Sequence, residues 1–309
     1  MIGAVDIGGT KIAVGVVNDE GKVLASTECA TDAKRGFADA ADRMTAMLHS
    51  CAEQAGVKIR GIGIGCTGPV YPMTGLIGNA DFIKEWEGAN PVQELGDRFG
   101  VTAAMENDAD AAALGEGFWG AGSGLQHMIF VTVGTGIGGG IVLGGKLYRG
   151  VDGAHPEIGH HVIDASGPQC FCGARGCWEI LARGPAMTDW MQAHVPNRSS
   201  DSFLTAKQIC ELAREGDALA KQAVEREAHY LGLGLANLVT LFTPEVIVLG
   251  GSVMGSAPLF MEGIKSEIRR NCGVVPYEKT EIRLASLGPQ SGLIGAARVW
   301  HHRFTEIGG

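Results

Sequence analysis

The stretch from His155 to Glu179, H-P-E-I-G-H-H-V-I-D-A-S-G-P-Q-C-F-C-G-A-R-G-C-W-E, is the part of the chain from which the rest is read. It brings acidic residues, histidine and three cysteines into a short span. Cys170, Cys172 and Cys177, preceded by His160, offer three thiolates and one imidazole, the donor set that a tetrahedral structural zinc prefers. The glycines and the proline between these residues let the chain double back, as a metal knot requires. Buried cysteines in an ordinary loop are the alternative, but structural thiols rarely cluster at such spacing.

The rest of the chain is large enough to frame such a knot. With 309 residues and 45% hydrophobic content, it can bury one or two sizeable cores. The N-terminus, M-I-G-A-V-D-I-G-G-T-K, lacks the features of a secretory signal, and no run of about 18 apolar residues suggests a membrane span. A cytoplasmic location is expected. Cys29, Cys51, Cys66, Cys210 and Cys272 are scattered and read as reduced structural thiols. A net charge of −9 argues against general nucleic-acid binding, which needs a basic footprint. Phosphorylated ligands remain open, because glycine-rich turns can hold a phosphate with backbone N–H groups alone.

Upstream of the knot, Ile2 to Asp6 and Ile12 to Val17 read as strands joined by a glycine turn at Gly8-Gly9-Thr10. Asp6, at the strand end, could hold a hydrated magnesium ion while the turn and the Thr10 hydroxyl meet phosphate. A plain hairpin turn explains the same residues. Lys22 to Glu28 reads as a third strand, Gly36 to Ala55 as a helix and Arg60 to Cys66 as a buried strand breaking at Gly68-Pro69. The loop from Tyr71 to Gly88 contains Asn79, Asp81 and Trp86 and suits either a polyol pocket or a surface excursion. A short helix over Asn90 to Phe99 and a strand over Val101 to Met105 follow. Then comes Glu106-Asn107-Asp108-Ala109-Asp110, an acidic turn opening an alanine-rich helix. Helix capping accounts for one or two of these polar residues and does not require all four.

His127 to Val133 reads as a strand ending in Gly134-Thr135-Gly136-Ile137-Gly138-Gly139-Gly140, with Ile141 to Leu143 apolar again. The glycines fit G-x-G-x-x-G, but that dinucleotide fingerprint requires a helix directly afterwards. Gly140 to Lys146 imitates a Walker A loop, with Leu147 where Ser or Thr belongs. What remains is a second strand, glycine turn, strand unit. Beyond the knot, Ile180 to Ala193 reads as helix, and Asp217 caps a long amphipathic helix with Leu219, Ala223, Leu231, Leu235, Leu238 and Phe242 on its core face. Glu245 to Leu249 is a strand ending in a third glycine turn, Gly250-Gly251-Ser252. Helix over Pro258 to Asn271, strand over Glu281 to Ala285 and a closing helix over Gly292 to His301 complete the reading.

D-I-G-G-T-K at Asp6 to Lys11, G-T-G-I-G-G-G at Gly134 to Gly140, E-I-G-H at Glu157 to His160 and C-F-C-G-A-R-G-C-W-E at Cys170 to Glu179 together resemble the ROK family of repressors, open reading frames and sugar kinases. The resemblance runs nearly end to end, and the knot is its most specific part. It implies an α/β, two-lobed actin-like ATPase and sugar-kinase (ribonuclease H-like) fold with a zinc-bound loop. The lobes are expected over 1–112 plus 290–309 and over 113–289, with the knot at 160–177 and with ATP and a hexose between them. By position, Asp108 matches the family's catalytic base. Asn107, Glu157, His160 and Glu179 match residues that bind sugar hydroxyls, and Asn79 joins them as a candidate. Asp6, Gly8, Gly9, Thr10, Lys11, Gly134, Thr135 and Gly136 match the magnesium and phosphate side of ATP, and Gly250 and Gly251 its adenosine end. His160 would both touch sugar and ligate zinc, making the metal a device that aims Glu157 and Glu179.

The implied chemistry is an ATP- and magnesium-dependent phosphoryl transfer to a sugar hydroxyl, which demands alignment, charge neutralisation and a carboxylate within reach of a poor nucleophile. Glucose is the expected acceptor. His155-Pro156 before Glu157 is similar to the fructokinase branch, and kinases of N-acetylglucosamine and N-acetylmannosamine share Glu157-x-x-His160 and Asn107-Asp108. A repressor of the same family would carry an N-terminal helix-turn-helix domain, and here the first hairpin begins at Ile2. The resemblance also implies a homodimer or homotetramer.

Overall fold

The computed structural model describes residues 1–195 and 204–306, and residues 307–309 of the expected first lobe lie outside that range. The chain starts with β1 (Ile2–Ile7), β2 (Lys11–Val17) and β3 (Val23–Ala30), an antiparallel meander. Helix α1 (Phe37–Ala55) crosses to β4 (Gly61–Cys66), which pairs in parallel with β1. A two-residue hairpin of β5 (Val70–Tyr71) and β6 (Leu76–Ile77) precedes α2 (Pro91–Phe99). Strand β7 (Thr102–Asn107) then completes a sheet of order β3-β2-β1-β4-β7. Helix α3 (Asp108–Trp119) follows without a linker, its first turn capped by Asn107.

A second five-stranded sheet has the order β10-β9-β8-β11-β12. Its strands are β8 (Met128–Val133), β9 (Ile137–Leu143), β10 (Lys146–Leu147), β11 (Val246–Gly250) and β12 (Glu281–Leu284). Because β9 follows the Gly134 turn as a strand, both the dinucleotide and the Walker readings fail on geometry. The helices of this half are α4 (Trp178–Ala182), α5 (Gly184–Ala193), α6 (Ala206–Glu215), α7 (Ala218–Phe242) and α8 (Met261–Asn271), and α9 (Ser291–His301) closes the chain.

The described residues form two compact units, one of Met1–Phe130, Gly140–Pro156 and Ala285 onward, the other of Val131–Gly139 and Glu157–Leu284. The expected division at 112/113 falls inside α3, which packs as one piece in the first unit against α9. That packing is tight: a Cβ on Gly295 of α9 would stand 2.4 Å from the Ala111 carbonyl oxygen of α3. In the first unit, Val5, Ile7, Ile12, Val14, Met44, Leu48, Ile62 and Ile64 form the core beneath α1. In the second, α7 is capped by Asp217, whose side chain accepts from Ala220 N at 2.7 Å, and buries Ala223, Leu231, Leu235 and Leu238 as its spacing predicts, while Leu219 and Phe242 near its ends are only partly buried.

Three readings of the sequence change. The helix expected over Ile180 to Ala193 is two helices that meet at Arg183, because Pro185 has no N–H to continue a helical ladder and sits in the first turn of α5. Helix α8 begins at Met261 after a 3₁₀ stretch over Ser252–Leu259 that contains Pro258. The loop around Asn79 contains a 3₁₀ helix over Asp81–Trp86, and Trp86 leaves the proposed polyol pocket for the core: it is 1% exposed, donates to the Ala33 carbonyl at 3.1 Å and meets Phe37 edge-on.

Candidate functional site

In the first unit the candidate groups collect where β1, β4 and β7 end. Asp6 is the penultimate residue of β1, Gly65 is its partner on β4, and Glu106 is the partner of Gly65 on β7. A Cβ on Gly65 would lie 3.8 Å from Asp6 Oδ1 and 3.7 Å from Asp108 Cα, so the two acids flank a glycine that leaves room for both. Burial first and the nearby Asp108 second, opposed by Lys11, leave the Asp6 carboxyl raised to about 6. Such a group gains most from a nearby cation. The tip between β1 and β2 is held by Gly8 N donating to the Lys11 carbonyl at 2.9 Å and by the Thr31 hydroxyl donating to the Gly8 carbonyl at 2.7 Å. Phe82 covers Gly9, where a Cβ would stand 2.6 Å from Phe82 Cβ. Lys11 reaches away to Glu28, at 2.9 Å on the surface. Asn79 is exposed.

Asp108 is the first residue of α3 and is exposed, while Asn107 before it is buried. The N–H of Ala109 donates to Asn107 Oδ1 at 2.9 Å and to Asp108 Oδ1 at 2.8 Å, which orients both side chains at the helix start. The other two acids of the turn serve differently. Arg149 pairs with Glu106 and, at 2.9 Å, with Asp110; His155 Nδ1 lies 2.6 Å from the same Asp110 oxygen. Glu106 and Asp110 are 3% and 0% exposed, so these pairs clamp both shoulders of Asp108 in the interior. His155 therefore has a structural role at this turn.

In the second unit, the four donor atoms of His160, Cys170, Cys172 and Cys177 all lie within 4.8 Å of one another. Cys170 Sγ is 3.6 Å from His160 Nδ1, and Cys172 Sγ is 3.4 Å from Cys177 Sγ. Zinc–sulfur bonds of about 2.3 Å in a tetrahedron place donors roughly 3.5–3.8 Å apart, so the set fits zinc. Burial and the neighbouring sulfurs push the Cys177 thiol up to about 12, a cost that a bound cation would reverse. The knot is laid out by its backbone: Cys170 N donates to the Ala174 carbonyl at 2.8 Å and Ile163 N to the Gly176 carbonyl at 2.9 Å. Gly176 has φ +67°, and a Cβ there would stand 1.6 Å from the Asp164 carbonyl oxygen.

From the knot, His160 turns its Nε2 toward Glu179, 4.0 Å from Oε1. The other oxygen of Glu179 accepts from Ile137 N at 2.9 Å, just past the glycine turn between β8 and β9, and a Cβ on Gly136 would stand 2.5 Å from that oxygen. Glu179 thus joins the knot to the Gly134–Gly136 turn. Glu157 is exposed, three residues before His160. Thr135, at the tip of the turn, is exposed as well.

A cavity of about 630 Å³ opens in the same unit beside that turn. Its walls include Gly134, Thr135, the start of α5 at Gly184 and Pro185, the start of α6 at Thr205 and Lys207, and Ser252 to Ser256 after the third glycine turn. The volume lies in the range of small-molecule sites. Gly251 has φ +89° and its Cα faces the Val133 backbone, where a Cβ would stand 2.3 Å from the carbonyl oxygen, so only glycine closes this wall. Helix α6 is the part of this wall that the sequence reading lacked. Its signal is the capping box Thr205-x-x-Gln208, in which Gln208 N donates to Thr205 Oγ1 and Thr205 N to Gln208 Oε1.

Comparison with known proteins gives consistent results. A model of the ROK family matches residues 2–303. Glucokinase of Thermotoga maritima is 30% identical, the match covering 99% of this chain and 98% of that one. Glucokinase of Streptomyces coelicolor is 34% identical, with 95% of each chain covered. The crystal structure of a ROK family glucokinase from Streptomyces griseus in complex with glucose and AMPPNP has 35% identity and a TM-score of 0.79, over 96% of this chain and 97% of that one.

Proposed function

The chain belongs to the ROK family, and from that premise we propose that it is an ATP-dependent glucose kinase, forming glucose 6-phosphate. Its two α/β sheets are those of the actin-like ATPase and sugar-kinase fold. The observation that carries the reading is the end-to-end similarity to proteins named glucokinase. Several features of the geometry support it.

Asp108, exposed at the start of α3 beside Asn107, is the base that takes the proton of the attacking hydroxyl. Asn107, Glu157, His160 and Glu179, with Asn79, bind the sugar hydroxyls. Asp6 holds hydrated magnesium, and Gly8 to Lys11 and Gly134 to Gly136 meet the phosphates through backbone N–H groups and the Thr10 and Thr135 hydroxyls. The adenosine end lies by Gly250 and Gly251, in the cavity beside Gly134. His160, Cys170, Cys172 and Cys177 hold zinc, which supplies a rigid anchor for His160 and through it for Glu179. The enzyme works in the cytoplasm, as a homodimer or homotetramer.

A coupled ADP-release assay across glucose, fructose, mannose, N-acetylglucosamine and N-acetylmannosamine tests the proposal. The highest kcat/KM is expected for glucose. A preference for either acetylated sugar would move the chain to the hexosamine kinases, and no turnover with any of the five would refute the kinase reading.

A further inference from the structure

A second cavity is separate from the one beside Gly134. It measures about 750 Å³ and lies wholly in the first unit, behind α3, with α9 and β10 as its other walls. Four of its lining side chains are Lys or Arg and one is acidic, in a chain whose Asp and Glu outnumber Lys and Arg by 34 to 25. The cations come from separate parts of the fold: Lys146 and Arg149 from β10 and its exit, Arg298 from α9, and Arg303 from the turn beyond it. Arg298 is 5% exposed and stacks its guanidinium 3.7 Å from the centre of the Phe118 ring, which is itself half-exposed to the cavity.

Glu106 is the acid. Arg149 contacts one of its oxygens and Arg303 lies 3.7 Å from the other. Burial outweighs the pull of Arg149 and Arg303 and, with Asp110 beside it, leaves the Glu106 carboxyl raised to about 7. Two guanidiniums thus converge on one carboxylate at the cavity wall, and a phosphate, with more oxygens to offer, competes for the same forks. Arginine forks suit the oxygens of a phosphate, and a cavity of this size has room for more than the anion.

We propose that this cavity is a second small-molecule site, taking a phosphomonoester carried on a ring, with the phosphate between Arg149 and Arg303 and the ring beside Phe118. Occupancy reaches the reaction through Arg149. That residue also holds Asp110, and Glu106 and Asp110 stand two residues before and after Asp108. An anion that draws Arg149 outward loosens both shoulders of Asp108 and slows turnover. Binding stands without the assignment of Asp108 as base; only this coupling rests on it.

The test is calorimetric titration of the full chain with phenyl phosphate, which is neither substrate nor product, in the presence of glucose and a non-hydrolysable ATP analogue to fill the reaction site. One saturable site is expected, weakened about tenfold or more in Arg303→Met and several-fold in the surface variant Lys146→Met, with inorganic phosphate weaker than phenyl phosphate. Absence of saturable binding, or unchanged affinity in both variants, overturns the site. Equal affinity for inorganic phosphate overturns the ring component. In steady-state assays phenyl phosphate is expected to lower kcat for wild type and not for Arg303→Met. Binding without any change in kcat overturns the coupling, whereas undiminished turnover in Asp108→Asn would instead overturn the reading of the base.

Discussion

Asp108 and Asp6 face each other across Gly65, and their differing surroundings suit two tasks. Asp108 is exposed and oriented by the N–H of Ala109, so replacing it with Asn preserves the local hydrogen bond and deletes the proposed base. Asp108→Asn is expected to bind glucose normally and to lose about 10²-fold or more in kcat, measured by isothermal titration and by ADP release. Asp6 is the opposite case, a carboxyl lifted from 3.8 to about 6 chiefly by burial. The folded chain then binds that proton more tightly than the unfolded chain. Its contribution to stability is full below pH about 4, declines as pH rises toward 6 and stays low above. Without magnesium or nucleotide, Asp6→Asn should therefore melt about 2–4 °C or more above wild type at pH 8, with the difference vanishing near pH 4. A gain of equal size at both pH values would refute the buried-charge account.

Elements differ in how openly the sequence announces them. The strand, glycine turn, strand units at Asp6 and Gly134 were readable because alternating apolar runs stop abruptly at glycines, and Asp217 announced α7 as an N-cap before a sustained apolar stripe. The hairpin of β5 and β6 was not readable, since two residues per strand carry no period. Cys170, Cys172 and Cys177 lie close in sequence, and so does the knot. The clamp on α3 is a different matter: Arg149 and His155 reach Asp110 from 39 and 45 residues away, and local spacing holds no record of such convergence. The knot also yields an element-scale prediction. His160 and Glu179 depend on its geometry, so removing zinc with a strong chelator should raise KM for glucose about tenfold or more and spare KM for ATP by comparison, with recovery on adding zinc back. An equal rise in both constants would point to general unfolding.

At the scale of the molecule, each compact unit carries its own core and its own share of the proposed site residues, with Asp6, Asn107 and Asp108 in one and Glu157, His160, Glu179 and the Gly134 turn in the other. The family resemblance implied two lobes, and the compact units do not divide at residue 112, because α3 and the stretch from Gly140 to Pro156 pack in the first. Each unit also contains one tryptophan with almost no exposure, Trp86 in the first and Trp178 in the second. Trp178 follows Cys177 in the chain, and its ring lies 5.5 Å from that of His161, next to His160. The indole is thus a built-in optical gauge of the knot. Intrinsic emission should shift to longer wavelength when the ion leaves, persist in doing so in Trp86→Phe and fall silent in Trp178→Phe, which would allow the state of one half of the protein to be followed by light while the other half keeps a separate signal.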